Sequence, residues 1–189
     1  RFYPKSINKE CTTNIINRLL KHSDGNVYAF CNRSVFKCSM NQTVETVFPD
    51  IAIPSPTYSV AQAPDKDIYI GTESNGLYIY SENWKLKKHV PIDGIIATIL
   101  PDNNGDIWLG LDETGICLFN KNKQTFTWLH KDNTNLNNNS IRTFVSYGDS
   151  SILVGTFRGL NILNKKELPI PPANINIAGK GGLSHYSIH

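Results

Sequence analysis

The sequence predicts an all-β chain, a fragment of a β-propeller with about four blades of four antiparallel strands each and partial blades at both ends. Three observations carry this. A motif framed by two glycines recurs at a spacing near forty residues. Each recurrence is a run of short apolar segments parted by turn residues. The middle segments are apolar at nearly every position instead of alternating, which implies burial on both faces. A four-stranded sheet sandwiched between copies of itself is a propeller blade. A parallel β-helix would repeat at a shorter interval, and a closed barrel would not repeat itself in this way.

The frame is plainest in residues 105–119, GDIWLGLDETGICLF. Residues 67–80 (DIYIGTESNGLYIY) and 151–163 (SILVGTFRGLNIL) repeat it, and residues 26–38 (NVYAFCNRSVFKC) are a degraded copy. The first glycine of the frame is Gly71, Gly110 or Gly155, and the second is Gly76, Gly115 or Gly159. Phe30 and Ser34 stand at the two positions in the first copy.

Taken in chain order, residues 1–14 are the tail of a preceding blade and a linker, since Phe2-Tyr3-Pro4 aligns with Trp128-Leu129-His130. The first blade spans 15–48, with strands near 15–20, 26–31, 34–39 and 43–48. The second spans 58–90, with strands near 58–63, 67–72, 76–81 and 84–90. The third spans 95–130. There Pro101 to Gly105 is turn chemistry with glycine supplying a positive φ, and Thr125 to His130 alternates as a fourth strand. The fourth spans 141–178, with strands near 141–147, 151–157 and 159–164. Pro169, Pro171 and Pro172 obscure its last strand. Residues 184–189 read as the start of a following blade. Cut ends of this kind leave sheet faces and edges open, so the expectation is a piece of a longer propeller, with a homodimer or a partner chain covering the open ends if it stands alone.

Composition narrows the function. The net charge is +3 over 189 residues, and no lysine–arginine run exceeds two residues, which argues against nucleic-acid binding by a basic patch. No apolar run reaches the length that spans a bilayer. Cys11, Cys31, Cys38 and Cys117 lack zinc-ligand spacing and are expected to be free and packed. His22, His89, His130, His185 and His189 share no metal-ligand spacing and are assigned to turns or the surface. No cofactor or metal site and no catalytic set is assigned. The acids around Gly105 recur with the turns, which fits a structural role.

The polar turn with glycine, the Asp-Ile-Trp-Leu-Gly strand, the acidic turn with glycine and the apolar strand that follows stand in 102–119, 65–80 and 149–163. In that form they closely resemble the two-component regulator propeller repeat. The Asn-rich stretch 132–140 resembles the family's inter-blade connection. The resemblance implies a periplasmic sensor segment of a Bacteroidetes hybrid two-component system that binds an oligosaccharide and regulates glycan utilisation. It also implies a transmembrane helix, a histidine kinase and a response regulator elsewhere in the full protein.

Ligand contacts are expected in the turns between second and third strands, where the copies diverge inside persistent glycines. The candidates are Arg33, Glu73, Asn75, Asp112, Glu113 and Arg158, with the two arginines suited to carboxylate or sulfate groups. Trp108, Tyr69 and Tyr28 occupy one repeat position and are assigned to packing between sheets. Trp84 and Trp128 are assigned to outer-strand packing, with sugar stacking as the alternative. A structural or dimerisation propeller is the rival function. A propeller glycoside hydrolase or lyase is a third, and it lacks a positioned carboxylate pair in the sequence.

Overall fold

The computed structural model describes residues 15–31, 34–39, 44–46 and 53–168. It contains four antiparallel meanders. The first holds β1 (Arg18–Lys21), β2 (Val27–Phe30), β3 (Val35–Cys38) and β4 (Val44–Thr46). The second holds β5 (Thr57–Gln62), β6 (Ile68–Thr72), β7 (Leu77–Tyr80) and β8 (Leu86–Val90). The third holds β9 (Ile96–Pro101), β10 (Asp106–Leu111), β11 (Gly115–Asn120) and β12 (Thr125–Leu129). The fourth holds β13 (Ile141–Tyr147), β14 (Ser151–Thr156) and β15 (Gly159–Asn164), followed by a 3₁₀ turn at Lys165–Glu167. The expected fourth strand of this blade, the partial blades at 1–14 and 184–189, and Cys11 lie outside the described residues, apart from the 3₁₀ turn.

The first strands of successive sheets lie against one another, β1 on β5, β5 on β9 and β9 on β13. The sheets therefore radiate from a shared axis as propeller blades. Alternation along each strand sends one set of side chains to each neighbouring blade. Ile107, Leu109 and Leu111 pack back on Tyr69, Leu77 and Ile79 of the second blade. Trp108 and Ile116 face forward and pack with Ile141, Phe144 and Val154 of the fourth. Tyr28 packs forward against Ile68 and Ile70, and Tyr69 against the third blade. The shared position of Tyr28, Tyr69 and Trp108 thus fills three successive interfaces.

Gly71 and Gly110 mark the closest approach of blades. A Cβ on Gly71 would stand 2.6 Å from Ile96 Cγ2, and one on Gly110 would stand 2.5 Å from Ile141 Cγ2. Trp84 is buried at the interface of the first two blades, its ring 4.7 Å from that of Tyr28 and 5.7 Å from that of His22. This corrects its assignment to outer-strand packing: the turn after β7 folds it inward at φ 61°. His22 does sit in a turn, but it is buried there beside Trp84, not exposed. Cys31 and Cys117 are buried and Cys38 is half-buried, with Cys38 and Cys117 free.

Candidate functional site

Strand direction divides the loops between two faces. The upper face carries the turns between second and third strands together with the inter-blade connections. The lower face carries the turns between first and second, and between third and fourth, strands.

On the lower face the acids build turns and join blades. Asp24, Asp65 and Asn104 stand at one repeat position, and each side chain accepts a hydrogen bond from the backbone two residues on, at Asn26, Asp67 and Asp106. The residue between takes a positive φ: Gly25 at 86°, Lys66 at 71° and Gly105 at 88°. Burial alone would raise the Asp24 carboxyl, yet hydrogen bonds from Asn26 and from the Tyr28 hydroxyl hold it well below the usual range.

A second pattern links neighbours. The residue six past the second glycine reaches back to the first turn of the preceding blade. Glu82 accepts a 2.8 Å bond from Ser23 Oγ, Lys121 Nζ lies 2.7 Å from Asp67 Oδ2 and also pairs with Asp65, and Lys165 Nζ lies 2.6 Å from Asp102 Oδ2. Asp67 is nearly buried and is held from a second side by Lys87 at 2.7 Å. Asp65, Tyr69, Asp102 and Lys121 share a small cleft of about 90 Å³. The two carboxylates in it are each spent on a lysine. Burial pushes the Tyr69 hydroxyl up to about 12, so it stays protonated at neutral pH.

On the upper face, the second-to-third-strand turns of the second, third and fourth blades are hydrogen-bonded to the connection entering their own blade or leaving for the next. Glu73 N donates to Pro56 O at 2.9 Å, Asp112 N to Ile95 O at 3.0 Å, and Phe157 N to Ser140 O at 2.9 Å. Glu113 N reaches Ser140 Oγ at 3.2 Å, and Asn137 Nδ2 donates to Arg158 O at 2.9 Å. The turns are thereby held in a row, and their side chains stand on a rigid frame.

Of the expected site residues, Glu113 is exposed, at φ 64°, and lines a shallow polar cleft of about 210 Å³ with Lys131, Asn138, Asn139 and Ser140. Asp112 is half-buried and paired with Arg142 at 3.2 Å. The Arg142 guanidinium also lies 5.6 Å from the centre of the Phe157 ring, and that ring is 71% exposed. The structure therefore connects Asp112 of the third blade, through Arg142, to Phe157 of the fourth, with exposed Glu113 and Arg158 next to them in the chain. Glu73 and Asn75 belong to the second blade's turn and line neither cleft. The Asn75 backbone carbonyl meets His89 Nε2 at 2.7 Å. Arg33 lies outside the described residues.

Sequence reasoning missed Arg142 and Lys131. Lys131 could have been found from its place in the linker that carries the Asn-rich stretch, but nothing in the sequence sets Arg142 apart from an ordinary strand residue. Trp128 is half-buried against the interface of the second and third blades and stacks on His130 with 6.3 Å between rings. Trp84 is thus buried and Trp128 half-buried, whereas Phe157 is the most exposed aromatic among the described residues. Among the described residues no cluster of His, Cys, Asp and Glu could hold a metal ion.

No protein-family model matches the chain, and no curated protein matches it. Solved structures do. One is the extracellular domain of what is described as a hybrid two-component system, BT4673 of B. thetaiotaomicron, at TM-score 0.70 and 18% identity, over 87% of this chain and 23% of that one. Another is the extracellular domain of a second such system, BT3049, at TM-score 0.63 and 25% identity, over 82% and 21%. A third is PorZ, a surface component of the type-IX secretion system of Porphyromonas gingivalis, at TM-score 0.65 and 12% identity, over 80% and 26%. The chain spans about a quarter of the length of these proteins. The likeness is one of fold, and it is to the repeat architecture that residues 65–80, 102–119 and 149–163 resemble in sequence.

Proposed function

We propose that this chain, whose fold is that of the extracellular domains of Bacteroides hybrid two-component systems, is a ligand-sensing propeller segment on the extracytoplasmic side of such a sensor. Its ligand on this reading is an oligosaccharide, and the kinase lies in another part of the full protein. The observation that carries the proposal is the upper-face row of Asp112, Glu113, Arg142 and Phe157. There an exposed aromatic ring, an ion pair and the side chains of Glu113 and Lys131, which have no ion-pair partner among the described residues, stand on turns fixed by backbone hydrogen bonds. A sugar offers an apolar ring face and a rim of hydroxyls. An exposed ring beside amide, carboxylate and ammonium groups matches both parts of it. Arg158 and Lys131 suit a glycan with acidic groups. The segment itself needs no chemistry for this role, only a difference in ligand affinity between two arrangements of the whole sensor.

Isothermal titration of the complete extracytoplasmic region against a panel of neutral and acidic oligosaccharides tests the reading. Binding that weakens tenfold or more on Phe157→Ala and Glu113→Ala is the expected result. No binding by any glycan overturns it.

The second reading is a structural or dimerisation propeller with the ligand site elsewhere. It draws on the turn groups already spent within the fold, such as Arg158 O on Asn137 and Asp112 on Arg142. A ligand response that survives alanine at Arg33, Glu73, Glu113 and Arg158 together favours it.

A further inference from the structure

We propose that Asn75 is a modification site: the fold directs spontaneous Asn-Gly chemistry to Asn75, which becomes aspartate and isoaspartate and adds a carboxylate to the upper face, while the same fold shields Asn104. The proposal is independent of what the propeller binds.

The sequence holds two Asn-Gly pairs, Asn75-Gly76 and Asn104-Gly105. Glycine after asparagine has no Cβ to hinder the approach of its backbone nitrogen to the asparagine side chain. The glycine nitrogen loses its proton and attacks the asparagine Cγ. The new nitrogen–Cγ bond forms, the Cγ–Nδ2 bond breaks, and Nδ2 leaves as ammonia. Water then opens the resulting cyclic imide at one carbonyl or the other, giving aspartate or isoaspartate. Nothing is oxidised or reduced, and water is the co-reactant. The two pairs look alike in sequence, and both glycines hold a positive φ, 72° at Gly76 and 88° at Gly105.

Their hydrogen bonds differ. At Asn104 both ends of the side-chain amide are held by Asp106. Asn104 Nδ2 donates to Asp106 Oδ2 at 2.9 Å, and Asn104 Oδ1 accepts from Asp106 N at 3.1 Å. The nucleophile there, Gly105 N, donates to Asp102 O at 3.2 Å. Attack at Asn104 therefore requires the turn to open. At Asn75 the main chain is fixed, with the backbone N donating to Thr72 Oγ1 at 2.9 Å. The half-buried Asn75 side chain lies by the Tyr78 hydroxyl. Gly76 N has no hydrogen-bond acceptor among the described residues.

His89 adds an activating group. Its Nε2 lies 2.7 Å from the Asn75 carbonyl oxygen. A carbonyl oxygen only accepts, so Nε2 carries the proton and donates it. That carbonyl belongs to the peptide bond whose nitrogen attacks. As Gly76 N loses its proton, amide resonance spreads the negative charge onto the Asn75 oxygen, where the His89 N–H stabilises it. The exposed His89 ring is stacked on Tyr78 with 4.4 Å between ring centres, which sets the donor in place.

The two products act differently. Aspartate leaves the main chain unchanged and puts a carboxylate two positions from Glu73. Isoaspartate carries the main chain through the side-chain carbon and lengthens it next to Gly76. That residue has no slack, since a Cβ on it would stand 2.2 Å from Val90 O and 2.6 Å from Ile92 N in the connection to the third blade.

The test incubates the chain, folded and in denaturant, in mildly alkaline buffer made with heavy-oxygen water. The tryptic peptides 67–85 and 89–121 are then followed by mass spectrometry. In the folded chain Asn75 is expected to convert tenfold or more faster than Asn104, and in denaturant at a similar rate. His89→Phe keeps a ring on Tyr78 and removes the donor. It is expected to slow Asn75 threefold or more in the folded chain and to leave the rate in denaturant unchanged. His89→Gln, which keeps an N–H donor, is expected to retain most of the wild-type rate. Asn104 converting as fast as Asn75 in the folded chain overturns the proposal, as does an Asn75 that stays intact. A folded-state rate at Asn75 that His89→Phe leaves unchanged overturns it as well.

Discussion

Gly71 and Gly110 are not turn glycines. Neither has a positive φ, and each is constrained by a branched side chain of the next blade inside 3 Å of where its Cβ would stand. Gly110→Ala should therefore cost about 1–3 kcal/mol through overpacking, read by chemical denaturation as a lower midpoint with an unchanged slope. Gly105 and Gly115, at φ 88° and 94°, are of the other kind. The recurrence of these residues is legible in the sequence, but the two reasons for it are not, because a repeat frame looks the same whether φ or close approach demands the glycine. Glu113 departs from both patterns. It holds φ 64° without being glycine, on the rim of the upper cleft, and non-glycine residues held in that region tend to cluster at functional sites. Glu113→Gly is expected to leave unfolding free energy within about 1 kcal/mol of wild type, since relief of strain and added freedom of the unfolded chain oppose one another. It should still weaken oligosaccharide binding, so the comparison of denaturation with titration separates the two roles.

All fifteen described strands overlap the segments that periodicity and turn residues mark out, although Lys21, Thr57 and Pro101 extend β1, β5 and β9 beyond them. What pattern reading does not reveal is how the elements are joined. The contacts at Glu82, Lys121 and Lys165 tie the turns that follow third strands to the preceding blade, and they connect residues as far as 63 positions apart, Asp102 to Lys165. Their pH dependence follows from the shifts. Asp24 and Asp65 lie below their ordinary values when folded. Burial acts to raise Asp65 but is outweighed by Lys121 and by the Asp67 backbone. Their stabilisation is complete above about pH 4 and is lost as the pH falls through the lowered values. Lys121 runs the opposite way. Burial alone would lower it, yet Asp65 and Asp67 raise it. Its stabilisation is complete below about pH 10.4 and is lost as the pH rises through the raised value. Thermal melts should thus be insensitive to these three groups between about pH 5 and 9. The Lys121→Met variant should lose the alkaline limb first.

Trp84→Ala should cost about 3–5 kcal/mol, because the ring fills the first interface between Tyr28, His22 and Tyr80. Loss of under about 1 kcal/mol in denaturant would return this tryptophan to the outer-strand packing that sequence position suggests.

Blades that touch only their neighbours share stability along the array. The second and third blades are covered on both faces, whereas the fourth has one face open. Native-state hydrogen exchange should accordingly find β6, β7, β10 and β11 the most protected and β15 the least, and uniform protection across the four blades would contradict the observed packing. The sequence by itself determined the fold class, the period and the strands, since those rest on local periodicity and on turn chemistry that one repeat can specify. It also marked the turn at Asp112 and Glu113 as the place where the copies differ. Only the tertiary structure decided which side chains meet there. Arg142 joins Asp112 to Phe157 because a strand of one blade lies beside a turn of the blade before it. No local signal encodes that neighbour, since it comes from the stacking of sheets about an axis.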